Sequence, residues 1–154
     1  MSYKRIVGLV VIVLLLIAGF FVFSKSSKKA PQETLQVENA VKQIVSSFLK
    51  SPGSAQFPEI IVEKQTTQEN KYIAFGDVDS QNGFGALLRS HFFLVMFGKG
   101  GDLQNKDNWT IDILSLDNML LVSGGKIIDS PFPLTEELIT SQKQLEDSIR
   151  AVKK

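Results

Sequence analysis

Six polar residues that could carry chemistry lie close together in the middle of the chain. They are Asp77, Asp79, Gln81, Asn82, Arg89 and His91. A histidine beside a carboxylate can serve as a general base, and amide and guanidinium groups can orient a bound ligand. His91 is the only histidine, and it begins a run of large apolar residues that is typical of a buried strand. We therefore predict no catalytic residue and treat the six as a candidate ligand or partner patch.

A structural role for the same residues is the alternative. Asn and Gln side chains commonly fix turns by hydrogen bonding to nearby backbone groups. In this interpretation Gln81, Asn82 and Arg89 hold the loop between two strands, together with the connection at residues 50–57.

Composition and motif spacing exclude several other classes of site. The absence of cysteine removes thiolate chemistry, disulfides, cysteine-bound zinc and a cysteine-linked lipid anchor. Residues 77–83 have the acidic spacing of a calcium loop, but the glycine comes one residue late and Leu88 stands where a bidentate glutamate is required. Phosphate-binding glycine loops and His-x-x-x-His pairs are also missing. We expect neither a metal nor a cofactor.

Apolar residues recur at helical spacing over residues 34–50. Val37, Val41 and Ile44 lie three or four positions apart, which predicts an amphipathic helix with one apolar stripe. Pro52 then ends the helix, because proline cannot extend it comfortably. We expect the stripe to pack on a sheet, since so short a helix is marginal alone in water.

A second helix is predicted near the C-terminus, over about residues 135–152. Thr135 can cap it, and two glutamates follow in its first turn, where negative charge is favourable. Its apolar stripe is thinner and consists of Leu138, Leu145, Ile149 and Val152.

Five segments between the helices have the composition or alternation of strands. They are residues 59–63, 71–79, 85–97, 109–116 and 119–122. Between the second and third segments, Asn82-Gly83 favours a two-residue type I′ turn, because both residues tolerate positive φ.

A two-residue turn would fix the register of the second and third strands. It would place His91 opposite Ala74, with Arg89 on the same face of the sheet. Asp77 and Asp79 would point to the opposite face, so no cross-strand pair between Asp77 and Arg89 is expected. A bulge within the turn would reverse this assignment, since a one-residue slip moves every side chain to the other face.

The order of these elements predicts an α+β fold. One helix would pack on a curled antiparallel sheet of four or five strands, and the C-terminal helix would follow. A cystatin-like and an NTF2-like arrangement both fit this order.

Two motifs in this region resemble those of an uncharacterised small domain of bacterial and phage-borne proteins. The first motif is Leu49-Lys50-Ser51-Pro52 with Ala55-Gln56-Phe57-Pro58, and the second is Val78-Asp79-Ser80-Gln81-Asn82-Gly83-Phe84-Gly85-Ala86 with Arg89 and Phe92 after it. The resemblance covers under half of the chain. It implies a shared fold, often attached to a transmembrane segment or a zinc ribbon, and no established activity.

An unbroken apolar run extends from Ile6 to Phe23 between basic flanks. About 18 residues of helix span roughly 27 Å, close to the hydrocarbon thickness of a bilayer. We predict a short tail at residues 1–5, a transmembrane anchor at 6–23, a polar linker at 24–33 and a soluble domain at 34–154. The competing interpretation is a cleaved signal peptide and a secreted domain, although bulky residues end the run where signal peptidase requires small ones.

The charge distribution indicates which partners to expect, but it does not fix the orientation of the chain in the membrane. The first 30 residues hold five basic and no acidic residues, which leaves 12 basic against 16 acidic residues in the remainder, a net charge of −4. Such a balance does not favour nucleic acid as a partner. The basic flanks of the apolar run nearly balance, so the positive-inside rule does not choose a topology. An exported C-terminal domain is expected from the commoner bacterial arrangement.

These observations together favour a single-pass, membrane-anchored extracytoplasmic binding or interaction module of a bacterial envelope. The expected partners are the lipid bilayer, through Ile6 to Phe23, and an envelope protein. Two alternatives stay open: a small hydrolase near the cell wall that uses His91 and a carboxylate, and a phage-encoded membrane factor that affects infection.

Overall fold

The computed structural model describes residues 32–68 and 70–153. The predicted tail, the anchor at 6–23 and the linker up to residue 31 lie outside these residues. Within the described residues, no helix is both long enough and apolar enough to cross a membrane.

The described chain forms two helices and six strands, in an α+β arrangement. In chain order these are α1 (Gln32–Ser47), β1 (Gln56–Lys64), β2 (Lys71–Gln81), β3 (Leu87–Gly98), β4 (Trp109–Leu116), β5 (Met119–Ser123), β6 (Lys126–Pro133) and α2 (Glu136–Lys153). Short 3-10 turns at Pro52–Ser54 and Lys106–Asn108 lie between α1 and β1 and between β3 and β4. An N-terminal helix, an antiparallel sheet and a C-terminal helix are thus confirmed.

The sheet is an open antiparallel meander, with β1 and β6 at its two edges. The expectation of a curled sheet of four or five strands was wrong. Sequence analysis missed β6 because Pro131 and Pro133 indicate a loop. Proline is tolerated in an edge strand, since an outward-facing residue there needs no N–H for the ladder.

Helix α1 covers one face of the sheet with the predicted stripe. Its buried residues are Val37, Ala40, Val41, Ile44 and Val45, and they share a core with Val62, Tyr72, Phe92, Leu94, Met96 and Leu114. Burial of this stripe removes apolar surface from water and is the main source of the docking energy.

Helix α2 lies on the opposite face of the sheet. Its Thr135 cap is confirmed, since the Leu138 N–H donates to Thr135 Oγ1 at 3.4 Å. The predicted apolar stripe was mostly wrong, because only Ile149 is buried, against Phe75 and its neighbours on the sheet. Leu138, Leu145 and Val152 are exposed.

Polar side chains supply most of the remaining contacts of α2. Arg150 donates to Glu59 of β1 at 2.8 Å, and its guanidinium lies 5.1 Å from the centre of the Phe75 ring. Lys153 donates to the Val62 carbonyl of β1. These polar contacts help hold α2 on the sheet, while three of the four predicted stripe residues face outward.

The turn between β2 and β3 has three residues and contains a bulge. The Gly85 N–H donates to the Asn82 carbonyl at 3.0 Å, and the Asn82 N–H donates to the Ala86 carbonyl at 2.9 Å. Gly85 takes a φ of +82°, the left-handed conformation that follows a type I turn in such loops. The predicted two-residue turn at Asn82-Gly83 was wrong, and the register changes accordingly.

Gly76 allows β1 and β2 to approach closely at the bulge of β1. A Cβ on this residue would lie 2.2 Å from the Glu59 carbonyl oxygen, and its φ of +154° disfavours other residues. We expect Gly76→Ala to lower the free energy of unfolding by about 3 kcal/mol or more, from backbone strain and overpacking together. Urea unfolding followed by circular dichroism measures this loss.

Gly53→Ala is the matched control for that substitution. A Cβ at Gly53 would meet nothing within 4 Å, so its free energy of unfolding should change by less than about 1 kcal/mol. Equal stability of the two variants would contradict the close approach at Gly76.

Candidate functional site

The register of β2 and β3 pairs four of the six candidate residues with one another on one face of the sheet. Asp77 lies opposite His91, and Asp79 lies opposite Arg89. The expectation that the two aspartates point away from His91 and Arg89 was therefore wrong. The cause is the bulge at Gly85. It shifts β3 by an odd number of residues relative to the predicted pairing, which moves the side chains of β3 to the other face.

His91 is held between two carboxylates from different elements. Its Nδ1 lies 3.0 Å from Asp77 Oδ1 on β2, and its Nε2 lies 3.1 Å from Glu146 Oε1 on α2. Gln142 Nε2 also donates to Glu146 Oε1, at 3.0 Å, and Ser115 Oγ donates to the Gln142 side chain. We call Asp77, His91 and Glu146 the histidine clamp, because it joins α2 to the sheet.

The clamp favours the charged imidazolium. The hydrogen bond to Glu146 raises the pKa of His91 to about 9, with a further contribution from Asp77, while partial burial acts in the opposite direction. At neutral pH both ring nitrogens therefore carry protons and donate to carboxylates.

This arrangement gives His91 a structural role and removes a base from the site. A general base needs an unprotonated ring nitrogen facing a substrate. In the clamp each nitrogen already faces a carboxylate, and Glu146 of α2 is buried on the side of the helix that faces the sheet. The chemistry that these three residues support is attachment of α2 to the sheet by charge-assisted hydrogen bonds.

Arg89 and Asp79 form a second cross-strand pair next to the clamp. Arg89 Nε and Nη2 donate to the two carboxylate oxygens of Asp79 at 2.7 and 2.8 Å. The guanidinium lowers the pKa of Asp79 from its usual value. The bidentate geometry fixes the pair and neutralises both charges at this point of the hairpin.

Beyond this pair the hairpin extends past its neighbouring strands. The pairing of β1 with β2 ends at Asp79, and that of β4 with β3 begins only at Phe92. We call residues 80–90 the arm. Its residues from 80 to 88 carry no charge.

Asn82 fixes the end of the arm. Its side-chain Oδ1 accepts hydrogen bonds from the backbone N–H groups of Phe84 and Ala86, at 2.9 and 3.0 Å. Gln81 contributes through its backbone, since its N–H donates to Ser54 Oγ at 2.9 Å. The structural alternative for these two residues thus describes their contacts well.

Three apolar side chains of the arm are exposed to solvent. Phe84 at its end is 99% exposed, Leu87 is 61% exposed and Leu88 is 52% exposed. Sequence analysis did not select them, because apolar residues in a strand pattern indicate a core. The signal that could have found them is the run of uncharged, glycine-flanked residues around Phe84.

The two sequence motifs lie close together at the base of the arm. The Gln81 N–H donates to Ser54, which lies between the two parts of the first motif, and the Phe57 and Phe92 rings pack edge to face with centres 6.1 Å apart. These contacts join residues 50–57 to the hairpin.

No protein-family model, curated protein or solved structure matches the chain. The resemblance described from the motifs therefore stays a prediction.

Other candidate sites are less defined. In residues 32–68 and 70–153, no group of three or more His, Asp and Glu side chains is placed to hold a metal ion. A shallow groove of about 480 Å³ beside the end of α1 is lined by Phe48, Trp109, Ile111, Ile127, Lys99 and Lys106. Both lysines of this groove already bind Asp107, through its carboxylate or its carbonyl.

The histidine clamp predicts an unusual titration of His91. Its ring proton resonances, the only histidine signals of the chain, should titrate by NMR with a midpoint near pH 9 rather than 6.5. Because the folded pKa is raised, the stabilisation is complete below about pH 6.5 and is lost as pH rises towards 9. Thermal melts across that interval should show the decline.

Two variants test whether the clamp causes the raised pKa of His91 and the loss of stability at high pH. Glu146→Gln removes the largest cause of the shift, so the His91 midpoint should move down towards 6.5. His91→Gln cannot ionise, so its melting temperature should change little over the same interval. A midpoint near 6.5 in the unaltered chain would contradict the clamp.

Proposed function

We propose that the chain is a membrane-tethered, extracytoplasmic interaction module of a bacterial envelope, and that the end of the arm binds a protein partner. The observation that carries this proposal is the fully exposed Phe84 on a hairpin end whose backbone is fixed by Asn82. Exposed apolar side chains that are grouped, as Phe84, Leu87 and Leu88 are along the arm, are typical of interaction sites.

The backbone at Phe84 is already fixed by the Asn82 hydrogen bonds. Binding therefore costs this residue little backbone freedom, and more of its burial energy contributes to affinity. Aromatic residues buried at the centre of an interface are among the usual hot spots. Leu87 and Leu88 expose further apolar side chains, one on each face of the arm.

The arm lies at the end of the sheet opposite the start of α1. Glu33, at the start of α1, binds Lys64 and Tyr72, which lie at the opposite end of the sheet from Gln81. About nine residues of extended strand, or roughly 30 Å, separate Tyr72 from Gln81.

We also propose a cystatin-like arrangement of the first helix and the sheet. One helix precedes a meander of sequential strands and packs across it. This order supports the cystatin-like expectation, with α2 as an addition on the other face.

The hydrolase alternative receives no support from the site, because both nitrogens of His91 face carboxylates. No contact of the described residues favours the phage-factor alternative. We therefore put forward the interaction module alone.

Photo-cross-linking in membranes tests the proposal. A benzophenone-bearing phenylalanine at position 84 of the full-length chain should capture one specific protein. The same group at Ile127, which is 71% exposed on the edge strand β6, should not capture it. Co-purification of that protein should fall at least tenfold for Phe84→Ala, the loss expected of an aromatic hot spot, and stay unchanged for Ile127→Ala.

Equal capture at positions 84 and 127, or unchanged co-purification with Phe84→Ala, would contradict the role of the arm. The location has its own test: protease added outside intact cells should cleave the domain. Complete protection until the membrane is permeabilised would contradict an extracytoplasmic domain.

A further inference from the structure

The outer side of β3 has no neighbouring strand along part of the arm. Pairing of β4 with β3 begins at Phe92, and beside His91 the Asp117 carboxylate and backbone take the place of a strand. From Leu87 to Ser90, no strand of the described chain lies next to β3 on that side. We call this stretch the open edge.

The register shows which backbone groups the open edge presents. Asn82 and Ala86 close the hairpin with a hydrogen bond, so in this arm the even-numbered residues of β3 bond to β2. The backbone N–H and C=O groups of odd-numbered residues point away from the hairpin partner strand. Two contacts show this: the Gln81 N–H donates to Ser54, and the His91 N–H donates to Asp117. The N–H and C=O groups of Leu87 and Arg89 therefore project from the open edge.

The two true edges of the sheet carry features that hinder strand addition. On β1, Lys153 of α2 occupies the Val62 carbonyl, and a bulge interrupts the strand near Pro58. On β6, Pro131 and Pro133 remove N–H donors. Such features are the usual means of blocking edge-to-edge association.

The open edge lacks these features. It contains no proline, and its single charge, on Arg89, is neutralised by Asp79. Leu87 and Leu88 point to opposite faces and are both exposed, so each could contact a side chain of an added strand. An unprotected edge on an otherwise protected sheet indicates a site of recognition.

We propose that the partner bound by the arm inserts an extended segment along the open edge, pairing its backbone with Leu87 and Arg89. This inference rests on the proposed function and names the binding mode. The segment would be about three or four residues long, because Asp117 ends the edge at His91. Its side chains would be apolar or β-branched and uncharged, to match Leu87 on one face and Leu88 on the other.

The proposed occupant is a segment of a different protein. A dimer of this chain through the arms is a separate outcome of the test.

A pair of substitutions at one position isolates the backbone hydrogen bond. Leu87→Ala removes the side chain and keeps the N–H, whereas Leu87→Pro also removes the N–H that faces outward and leaves the bonds to β2 intact. With the full-length chain in membranes, co-purification of the protein captured at Phe84 should fall about tenfold further for Leu87→Pro than for Leu87→Ala.

Amide exchange provides a readout that does not depend on a variant folding. In the unaltered chain bound to the captured protein, the amides of Leu87 and Arg89 should become protected. Those of Leu88 and Ser90 should be protected already in the free chain, since they bond to β2. Thermal melts of the Leu87→Pro variant show whether its loss of binding reflects unfolding. If the variant is unfolded, amide exchange in the unaltered chain decides whether a strand is added.

The outcomes separate the two proposals. Capture at Phe84 with equal effects of the two Leu87 variants, or without new protection at Leu87 and Arg89, overturns strand addition and leaves the interaction module standing. Capture of the chain by itself, with a dimer in solution, overturns a foreign segment as the occupant. Absence of any captured protein at Phe84 overturns both.

Discussion

The bulged turn at residues 83–85 is the constraint on which the site depends. Gly85 in a left-handed conformation and the Asn82 hydrogen bonds give the loop three residues, and this count sets the pairing of β2 with β3. The register then places Asp77 beside His91, on the face that α2 covers. Glu146 of α2 completes the histidine clamp, so a local feature of one turn governs how a distant helix attaches.

The same register separates the hairpin into two parts with different chemistry. Near the sheet, the clamp and the Asp79–Arg89 pair engage the charged side chains of Asp77, Asp79, Arg89 and His91, and both ring nitrogens of His91 face carboxylates. Beyond them, residues 80–88 of the arm are uncharged, and Phe84, Leu87 and Leu88 are exposed. Polar residues thus hold the hairpin, and its exposed apolar residues form the surface at which we propose that a partner binds.

Elements with a strong local signal were predictable from the sequence. The stripe of α1 and the bounds of β4 follow from periodicity, and the start of α2 follows from its capping residue. Features that depend on distant residues were not. A three-residue and a two-residue turn at Asn82-Gly83 differ by one bulge, and no local pattern places Glu146 beside His91, 55 positions earlier in the chain. The prolines of β6 indicate a loop unless the strand is known to lie at an edge.

The register of the hairpin is tested most directly by NMR on the full-length chain in detergent micelles. In an antiparallel pair without mutual hydrogen bonds, the two Hα atoms approach closely enough for a strong nuclear Overhauser effect. The structure predicts such cross-peaks between Asp77 and His91 and between Asp79 and Arg89. A cross-peak between Ala74 and His91 would instead show the two-residue turn, and it would contradict both the histidine clamp and the open edge.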